Sequence, residues 1–119
     1  MAIKLNQMNI LSHIINCKKQ QHPLLAVLID PDKPEAYRQL LPYLQLVDLI
    51  FVGGSTGESI DPCITILRQH TSAPLILFPG NIAQFSPHAD ALLFLSLLNA
   101  STVDMLITPH IKIAKQVML

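Results

Sequence analysis

Two short polar stretches carry the residue types that can bind a metal ion and a phosphate. DPDK (30–33) directly follows the apolar run 24–29, and GGSTG (53–57) directly follows the apolar run 49–52. Carboxylate and hydroxyl oxygens are the donors that hard divalent cations take. Glycines let the backbone approach a phosphate closely and turn N–H groups toward it. These residue types are therefore compatible with a site for a divalent cation and a phosphate group.

Asp30 is the most informative single residue in the chain. Its carboxylate comes at the end of a strand-like run, so it is either a cation ligand or a turn carboxylate that caps the next helix. The spacing alone leaves both roles open. Asp32, close to Pro34, is the better candidate for the helix N-cap. Lys33 is expected to be a solvated side chain.

The GGSTG stretch is compatible both with a phosphate contact and with an ordinary turn. Ser55 or Thr56 can add a hydroxyl ligand to a bound magnesium ion. No Gly-Lys-Ser/Thr triplet follows at the spacing of a P-loop, and the Rossmann pattern G-x-G-x-x-G is absent from the chain. Both interpretations of this stretch stay open on sequence grounds.

The histidines and cysteines show no spacing typical of metal ligands. None of the five histidines follows a predicted strand, which favours surface or packing roles for all of them. Cys17 and Cys63 stand far apart and are expected to be free thiols. The sequence contains no Gly-x-Ser-x-Gly elbow and no recognisable Cys/His pair, so covalent hydrolytic catalysis is disfavoured.

Strands and connecting segments alternate along the chain at intervals of roughly 20 residues. The patterning predicts an N-terminal helix over 5–20 and then βα units from about residue 24 to residue 119, all in a single domain. The predicted strands are 24–29, 48–52, 74–78 and 89–97; the helices between them begin near 32 and 59, and a last helix begins near 103. The third connection has room for one helical turn near 82–85. Such units build either an open doubly wound sheet or a (β/α)8 barrel.

Composition limits the classes of function. Half of the 119 residues are hydrophobic and 13% are charged, with eight acidic and eight basic side chains. A hydrophobic content this high excludes an intrinsically disordered chain, and a neutral balance gives no electrostatic footprint for nucleic acid. The longest apolar run, 91–98, is interrupted by Ser96 and is too short to span a bilayer. We therefore expect a soluble cytoplasmic protein with no nucleic-acid partner and no transmembrane segment.

Three longer stretches together resemble one enzyme family. LLAVLIDPDK (24–33), VDLIFVGGSTGES (47–59) and APLILFPGNIAQFSPHADALLFLSLLN (73–99) resemble the geranylgeranylglyceryl phosphate synthases and their bacterial relatives, the heptaprenylglyceryl phosphate synthases. The resemblance implies a TIM barrel, of which this chain supplies the first four βα units. An incomplete barrel of this kind is expected to form a homo-oligomer.

The resemblance also implies an activity and a set of site residues. The family joins a prenyl diphosphate to the 3-hydroxyl of sn-glycerol 1-phosphate with the help of Mg²⁺, in ether lipid biosynthesis. The positions that match its metal ligands are Asp30 and Ser55, with Gly54 and Thr56 as weaker candidates for substrate contact. The apolar fourth strand is expected to line a trough for the prenyl tail.

The match fails near the C-terminal end. Residues 100–103 and 106–110 depart from the family pattern, and the family's glycerol phosphate site lies in the second half of its barrel. We therefore expect a truncated chain that lacks that site. One alternative is a non-catalytic half-barrel module that acts by oligomeric assembly. Another is a different phosphate-binding βα enzyme that prefers a phosphorylated sugar or an indole precursor.

Overall fold

The computed structural model describes residues 10–54, 59–78 and 84–93. Its elements alternate between helix and strand, as the sequence predicts. In chain order they are α1 (Ile10–Lys19), β1 (Ala26–Ile29), α2 (Pro34–Leu40), a 3-10 helix (Leu41–Leu46), β2 (Leu49–Val52), α3 (Asp61–His70), β3 (Leu75–Leu77) and β4 (Ala91–Leu92). The predicted start of the first helix, residues 94–97 of the predicted fourth strand and the predicted last helix lie outside the described residues.

The four described strands form one parallel sheet whose spatial order is the order of the sequence, β1-β2-β3-β4. Right-handed crossovers that always step in the same direction place their helices on one face of the sheet. A doubly wound sheet would instead reverse its strand order at a switch point. Of the two architectures left open by the sequence, the structure therefore shows the barrel type: the first four βα units of a TIM barrel, as an open sheet.

The two faces of the sheet are covered unequally. The face toward α2 and α3 holds the main core, which includes Ile29, Val52, Leu67 and Leu77. The opposite face corresponds to the barrel interior and packs a smaller cluster in which Ile10 of α1 meets the first residues of the strands. Because apolar clusters lie on both faces of the sheet, successive strand residues are apolar whichever face they point to, and this explains why these runs are continuously apolar. The site described below lies at the far end of the sheet from α1.

Two aspartates fasten neighbouring strands at their N-terminal ends. The Asp48 carboxylate accepts a hydrogen bond of 2.8 Å from the Leu25 N–H, and the Leu25 carbonyl accepts one of 2.8 Å from the Asp48 N–H. Asp90 and Leu75 repeat the same reciprocal pair, with both bonds at 2.8 Å. Arg68 adds an ion pair of 2.8 Å to Asp90. These contacts lie at the face of the barrel fold that is associated with stability.

The predicted N-cap role of Asp32 is wrong. Helix α2 begins at Pro34, which puts Lys33 at the N-cap position, and no side chain caps the helix. Proline is well suited to the first helical position because its missing N–H would have no partner there. Within the described ranges, no helix has the length and apolar character needed to cross a bilayer.

Candidate functional site

The first part of the site is a tight turn after β1. The Asp30 carboxylate accepts a hydrogen bond of 2.9 Å from the Asp32 N–H, and the Asp30 carbonyl accepts one of 3.1 Å from the Lys33 N–H. This is an Asx-type turn, with Pro31 in the position where its fixed φ is favourable. The turn holds two carboxylates at the carboxyl end of β1. Asp30 is thus a turn residue, and that role leaves its second oxygen, Oδ2, outside the turn's hydrogen bonds.

The second part is Gly54, which follows β2 and lies against both carboxylates. A Cβ atom placed on Gly54 would lie 2.5 Å from Oδ1 of Asp30 and 2.6 Å from Oδ2 of Asp32. The two oxygens therefore converge on one point beside the Gly54 backbone. Among the described residues no glycine has a positive φ, so the requirement for glycine here comes from space alone.

Gly53 fixes this arrangement to the sheet. A Cβ atom on Gly53 would lie 1.7 Å from the backbone oxygen of Phe78, at the end of β3. The Gly53 N–H donates to the Ile29 carbonyl at 3.1 Å, and the Phe78 N–H donates to the Val52 carbonyl at 2.8 Å. Sheet bonding therefore continues to the glycines, and this brings the ends of β1, β2 and β3 together at one edge.

The donor set suits a hard divalent cation that is shared with a phosphate. Mg²⁺ usually keeps several waters and is bound by one or two carboxylates together with substrate phosphates. Asp30 and Asp32 supply two carboxylates, and the described residues contain no group of three or more acidic, histidine or cysteine side chains. Lys33 lies 3.6 Å from Oδ2 of Asp30, but its side chain is 71% exposed, so this ion pair holds the carboxylate only weakly. The residues fit magnesium held jointly with a diphosphate.

The predicted site residues fall into two groups. The structure brings Asp30 and Gly54 together at the edge of the sheet. Ser55 and Thr56 lie outside the described residues, as do the polar turns 79–81 and 99–102. The Gly54 N–H, which the sequence suggested for a phosphate, here donates to Oε1 of Gln84 at 3.2 Å.

Two buried polar residues of this region were missed by sequence reasoning. Gln84 is fully buried, and Ser86 is 2% exposed. The Ser86 hydroxyl donates to the carboxylate of Asp61 at the start of α3 and accepts a hydrogen bond of 3.2 Å from the His88 N–H. The only feature of the sequence that could have indicated these roles is the presence of two polar residues in a connection too short for a full helix. Without the sheet order, however, nothing in that connection pointed to Gly54.

A buried pair lies behind the site, between α2 and α3. Burial raises the pKa of the Cys63 thiol to about 11; the Asp30 carboxylate adds to the increase and a hydrogen bond with Tyr37 opposes it. Burial also raises the pKa of Tyr37, with a smaller contribution from Cys63. A thiol with a raised pKa is a poor nucleophile at neutral pH. Cys63 thus belongs to the packing that supports the Asp30 turn.

The described histidines take packing or surface positions, as expected. His13 is buried in α1, where its ring nitrogens lie 3.8 and 3.9 Å from Sγ of Cys17, at the opposite end of the sheet from Asp30. His22, His70 and His88 are exposed. Both cysteines are free.

Fold and site together define a class: a parallel barrel-type α/β protein with paired carboxylates at the carboxyl ends of its first strands. Comparison with known proteins agrees and is more specific. Residues 16–118 match the PcrB family, and the chain belongs to that family.

The similar proteins are longer than this chain. The geranylgeranylglyceryl phosphate synthase of Flavobacterium johnsoniae is 43% identical over 109 residues, which are 85% of this chain and 44% of the relative. The enzyme of the same name from Korarchaeum cryptofilum is 46% identical over 90 residues, which are 71% of this chain and 37% of the relative. The chain thus spans less than half the length of these relatives.

Solved structures give the same picture. The crystal structure of (S)-3-O-geranylgeranylglyceryl phosphate synthase from Thermoplasma acidophilum in complex with substrate sn-glycerol-1-phosphate matches with a TM-score of 0.75 and 29% identity, over 92% of this chain and 47% of that one. The wild-type enzyme of Thermoplasma volcanium matches with a TM-score of 0.76 and 31% identity, over 91% and 46%. The resemblance seen in the sequence is confirmed, with this chain corresponding to the N-terminal half.

Proposed function

We propose that this chain forms the diphosphate-binding half of a magnesium-dependent prenyltransferase of the geranylgeranylglyceryl phosphate synthase type. The observation that carries the proposal is the convergence of the Asp30 and Asp32 carboxylates on Gly54, at the edge of the sheet where barrel enzymes place their ligands. The proposed substrates are a prenyl diphosphate and sn-glycerol 1-phosphate, as part of ether lipid biosynthesis. A cytoplasmic location agrees with two free thiols.

In the proposed reaction, the 3-hydroxyl oxygen of the glycerol phosphate forms a bond to C1 of the prenyl chain. The bond from C1 to the diphosphate breaks, the diphosphate leaves with the electron pair, and the hydroxyl proton passes to solvent water. A bound Mg²⁺ would supply positive charge that stabilises the leaving diphosphate. Asp30 and Ser55 are the proposed metal ligands, with Gly54 and Thr56 as neighbours of the diphosphate. The Asx turn holds Asp30 at the sheet edge, so its carboxylate needs little reorganisation on binding.

The apolar face on the barrel-interior side supports the prenyl part of the proposal. Leu28 is 59% exposed, Phe78 is 39% exposed and Leu93 is 40% exposed. Phe51 lies on the same face, and its ring meets that of Phe78 edge to face at a centroid distance of 6.5 Å. These side chains begin next to the carboxylates and continue away from them. A prenyl tail laid along this face would be removed from water while its diphosphate reached Asp30.

Substitution of Asp30 by Asn tests the metal site. Asn keeps an oxygen that can accept the Asp32 N–H bond, so the turn is retained, but it removes the charge that binds magnesium. We expect Asp30→Asn to abolish magnesium-dependent binding of geranylgeranyl diphosphate and to leave the circular dichroism spectrum unchanged. Glu35→Gln is the matched control, because it removes one negative charge from an exposed position in the first turn of α2. Wild-type binding by Asp30→Asn would show that the site is assigned wrongly.

The exposed apolar face also favours a second candidate, a half-barrel module that acts by forming a homo-oligomer. Contiguous exposed apolar surface commonly marks an association site. Under this alternative the face is covered by a second copy of the chain, and no diphosphate binds. Sedimentation of the wild type and of Leu28→Lys tests it. Dissociation by Leu28→Lys but not by Leu46→Lys, on the exposed 3-10 helix, supports association through this face. A monomeric wild type contradicts it.

A further inference from the structure

The segment that leads from β2 to α3 is held at both of its described flanks by the same short stretch of chain. At the first flank, the Gly54 N–H donates to Oε1 of Gln84 at 3.2 Å. At the second flank, the carboxylate of Asp61 accepts a hydrogen bond from the Ser86 hydroxyl. Gln84 and Ser86 are only two residues apart, in the connection between β3 and β4. The β3–β4 connection therefore hydrogen-bonds to both described flanks of the β2–α3 segment.

Both of these polar side chains are buried. Gln84 is 0% exposed and Ser86 is 2% exposed. A buried polar group without a hydrogen bond costs far more than a satisfied bond contributes. If Gly54 moved away, the buried Oε1 atom of Gln84 would lose this hydrogen bond. The two bonds therefore constrain position as well as contributing to stability.

Gly54 is also the residue on which the two carboxylates converge. The point where its Cβ would fall lies 2.5 Å from Oδ1 of Asp30 and 2.6 Å from Oδ2 of Asp32. A small shift of the Gly54 backbone therefore changes the space between these oxygens directly. Metal–ligand distances in protein sites lie within about 0.2 Å of their usual values. Gln84 holds the Gly54 backbone in place through the hydrogen bond that its Oε1 atom accepts from the Gly54 N–H.

We propose that Gln84 and Ser86 are positioning residues that hold the flanks of the β2–α3 segment and thereby set the geometry of the metal and diphosphate site. The link to magnesium rests on the proposed function, whereas the two hydrogen bonds from Gln84 and Ser86 are a property of the fold. It also couples two loops of the barrel, because a displacement of the β3–β4 connection moves Gly54. Neither residue is assigned a part in the chemistry itself.

The experiment compares Gln84→Met with Gln84→Glu. Methionine has a similar length and no strong acceptor, whereas glutamate keeps an oxygen in place of Oε1. The first readout is the exchange rate of the Gly54 amide, resolved by NMR. The second is the magnesium concentration at the midpoint of binding of inorganic pyrophosphate. We expect Gln84→Met to raise the exchange rate and the magnesium midpoint, each roughly fivefold, as loss of one net hydrogen bond implies. Gln84→Glu keeps the acceptor and is expected to restore the exchange rate of the Gly54 amide. Because its added carboxylate would itself attract magnesium, the magnesium midpoint is compared only between the wild type and Gln84→Met.

A second pair of variants tests the other flank. Ser86→Ala removes the hydroxyl that reaches Asp61, and Thr65→Val is its control, because the Thr65 hydroxyl donates only to the Asp61 carbonyl, at 3.0 Å on the exposed side of α3. We expect Ser86→Ala to speed amide exchange at Asp61 and to raise the magnesium midpoint, and we expect Thr65→Val to leave the midpoint at its wild-type value.

The outcomes separate the positioning role from the proposed function. If the Gly54 amide of Gln84→Met exchanges at the wild-type rate, the Gln84 side chain does not hold Gly54, and the proposal is overturned. Faster exchange with an unchanged magnesium midpoint would show that the contact is structural only, and would overturn the positioning role. If the wild type binds no pyrophosphate with magnesium, the proposed function fails, and the exchange rates alone then decide whether the segment is held.

Discussion

Replacement of Gly54 by Ala is the sharpest perturbation that the structure offers. The added methyl carbon would lie 2.5 Å from Oδ1 of Asp30 and 2.6 Å from Oδ2 of Asp32, where ordinary contacts begin at 3.4 Å. Both carboxylates must therefore rotate away, and Asp30 gives up its hydrogen bond to the Asp32 N–H. Since the backbone at Gly54 has no positive φ, alanine is otherwise compatible with the turn.

The size of the effect follows from which atoms must move. The atoms that clash at Gly54 are carboxylate oxygens on rotatable side chains, so the free energy of unfolding should fall by only about 1 kcal/mol. The carboxylates would then be displaced by much more than the tolerance of about 0.2 Å for metal ligands. We therefore expect at least roughly tenfold weaker magnesium-dependent binding of geranylgeranyl diphosphate, which corresponds to about 1.4 kcal/mol.

Gly53→Ala is the matched control for Gly54→Ala. Its methyl carbon would lie 1.7 Å from the backbone oxygen of Phe78, and no side-chain rotation relieves that clash. We expect a loss of stability of about 3 kcal/mol or more for Gly53→Ala, against a small loss for Gly54→Ala. The assays are urea unfolding and isothermal titration calorimetry of both variants. If Gly54→Ala binds geranylgeranyl diphosphate as the wild type does, the carboxylates do not form the metal site.

Two further predictions concern stability. Asp90→Ala removes the acceptor of both the Leu75 N–H and the Arg68 guanidinium, so the free energy of unfolding in urea should fall by about 2 kcal/mol. Asp90→Asn keeps an acceptor and should lose about half as much. Equal losses in the two variants would contradict this account. Burial raises the pKa of the Cys63 thiol from 9.0 to about 11, so the folded state favours the neutral thiol. The contribution of this preference to the free energy of unfolding is complete below pH 9 and is lost as the pH rises through 11. Between pH 8 and 10.5 the wild type should therefore lose about 2 kcal/mol more than Cys63→Ala in the same assay, whereas equal pH dependence would show that this thiol is not buried in the folded state.

The fold was largely predictable because parallel strands with apolar residues on both faces have a simple pattern. Runs such as 24–29 and 49–52 are continuously apolar, and a polar residue or a glycine marks each carboxyl end. Because the carboxyl ends of parallel strands lie at one edge of a sheet, this pattern is enough to expect Asp30 and Gly54 at the same edge. Sequence patterning could not decide between a barrel and a doubly wound sheet, since that choice depends on the direction of each crossover. The strand order settled it.

Other features depend on contacts that are distant in sequence. Aspartate is a residue type that favours the N-cap, but helix α2 begins at Pro34, which puts Lys33 at the N-cap position. The Asp32 N–H instead donates a hydrogen bond to the Asp30 side chain. Gln84 is separated from Gly54 by 30 residues, and its burial becomes apparent only when β3 lies beside β2. A polar side chain in a short connection is ordinarily solvent-exposed. Its role could therefore not be predicted from local pattern.

Binding of geranylgeranyl diphosphate to the wild-type chain is the measurement that tests the central claim most directly. The titration is performed by calorimetry with magnesium, then with excess EDTA, and again after magnesium is restored. The proposed site predicts saturable binding with magnesium, loss of binding in EDTA, and recovery when the metal is returned. A folded chain that binds no diphosphate in any of these conditions, or that binds equally well in EDTA, would contradict the claim that the Asp30 turn holds a metal-bound diphosphate.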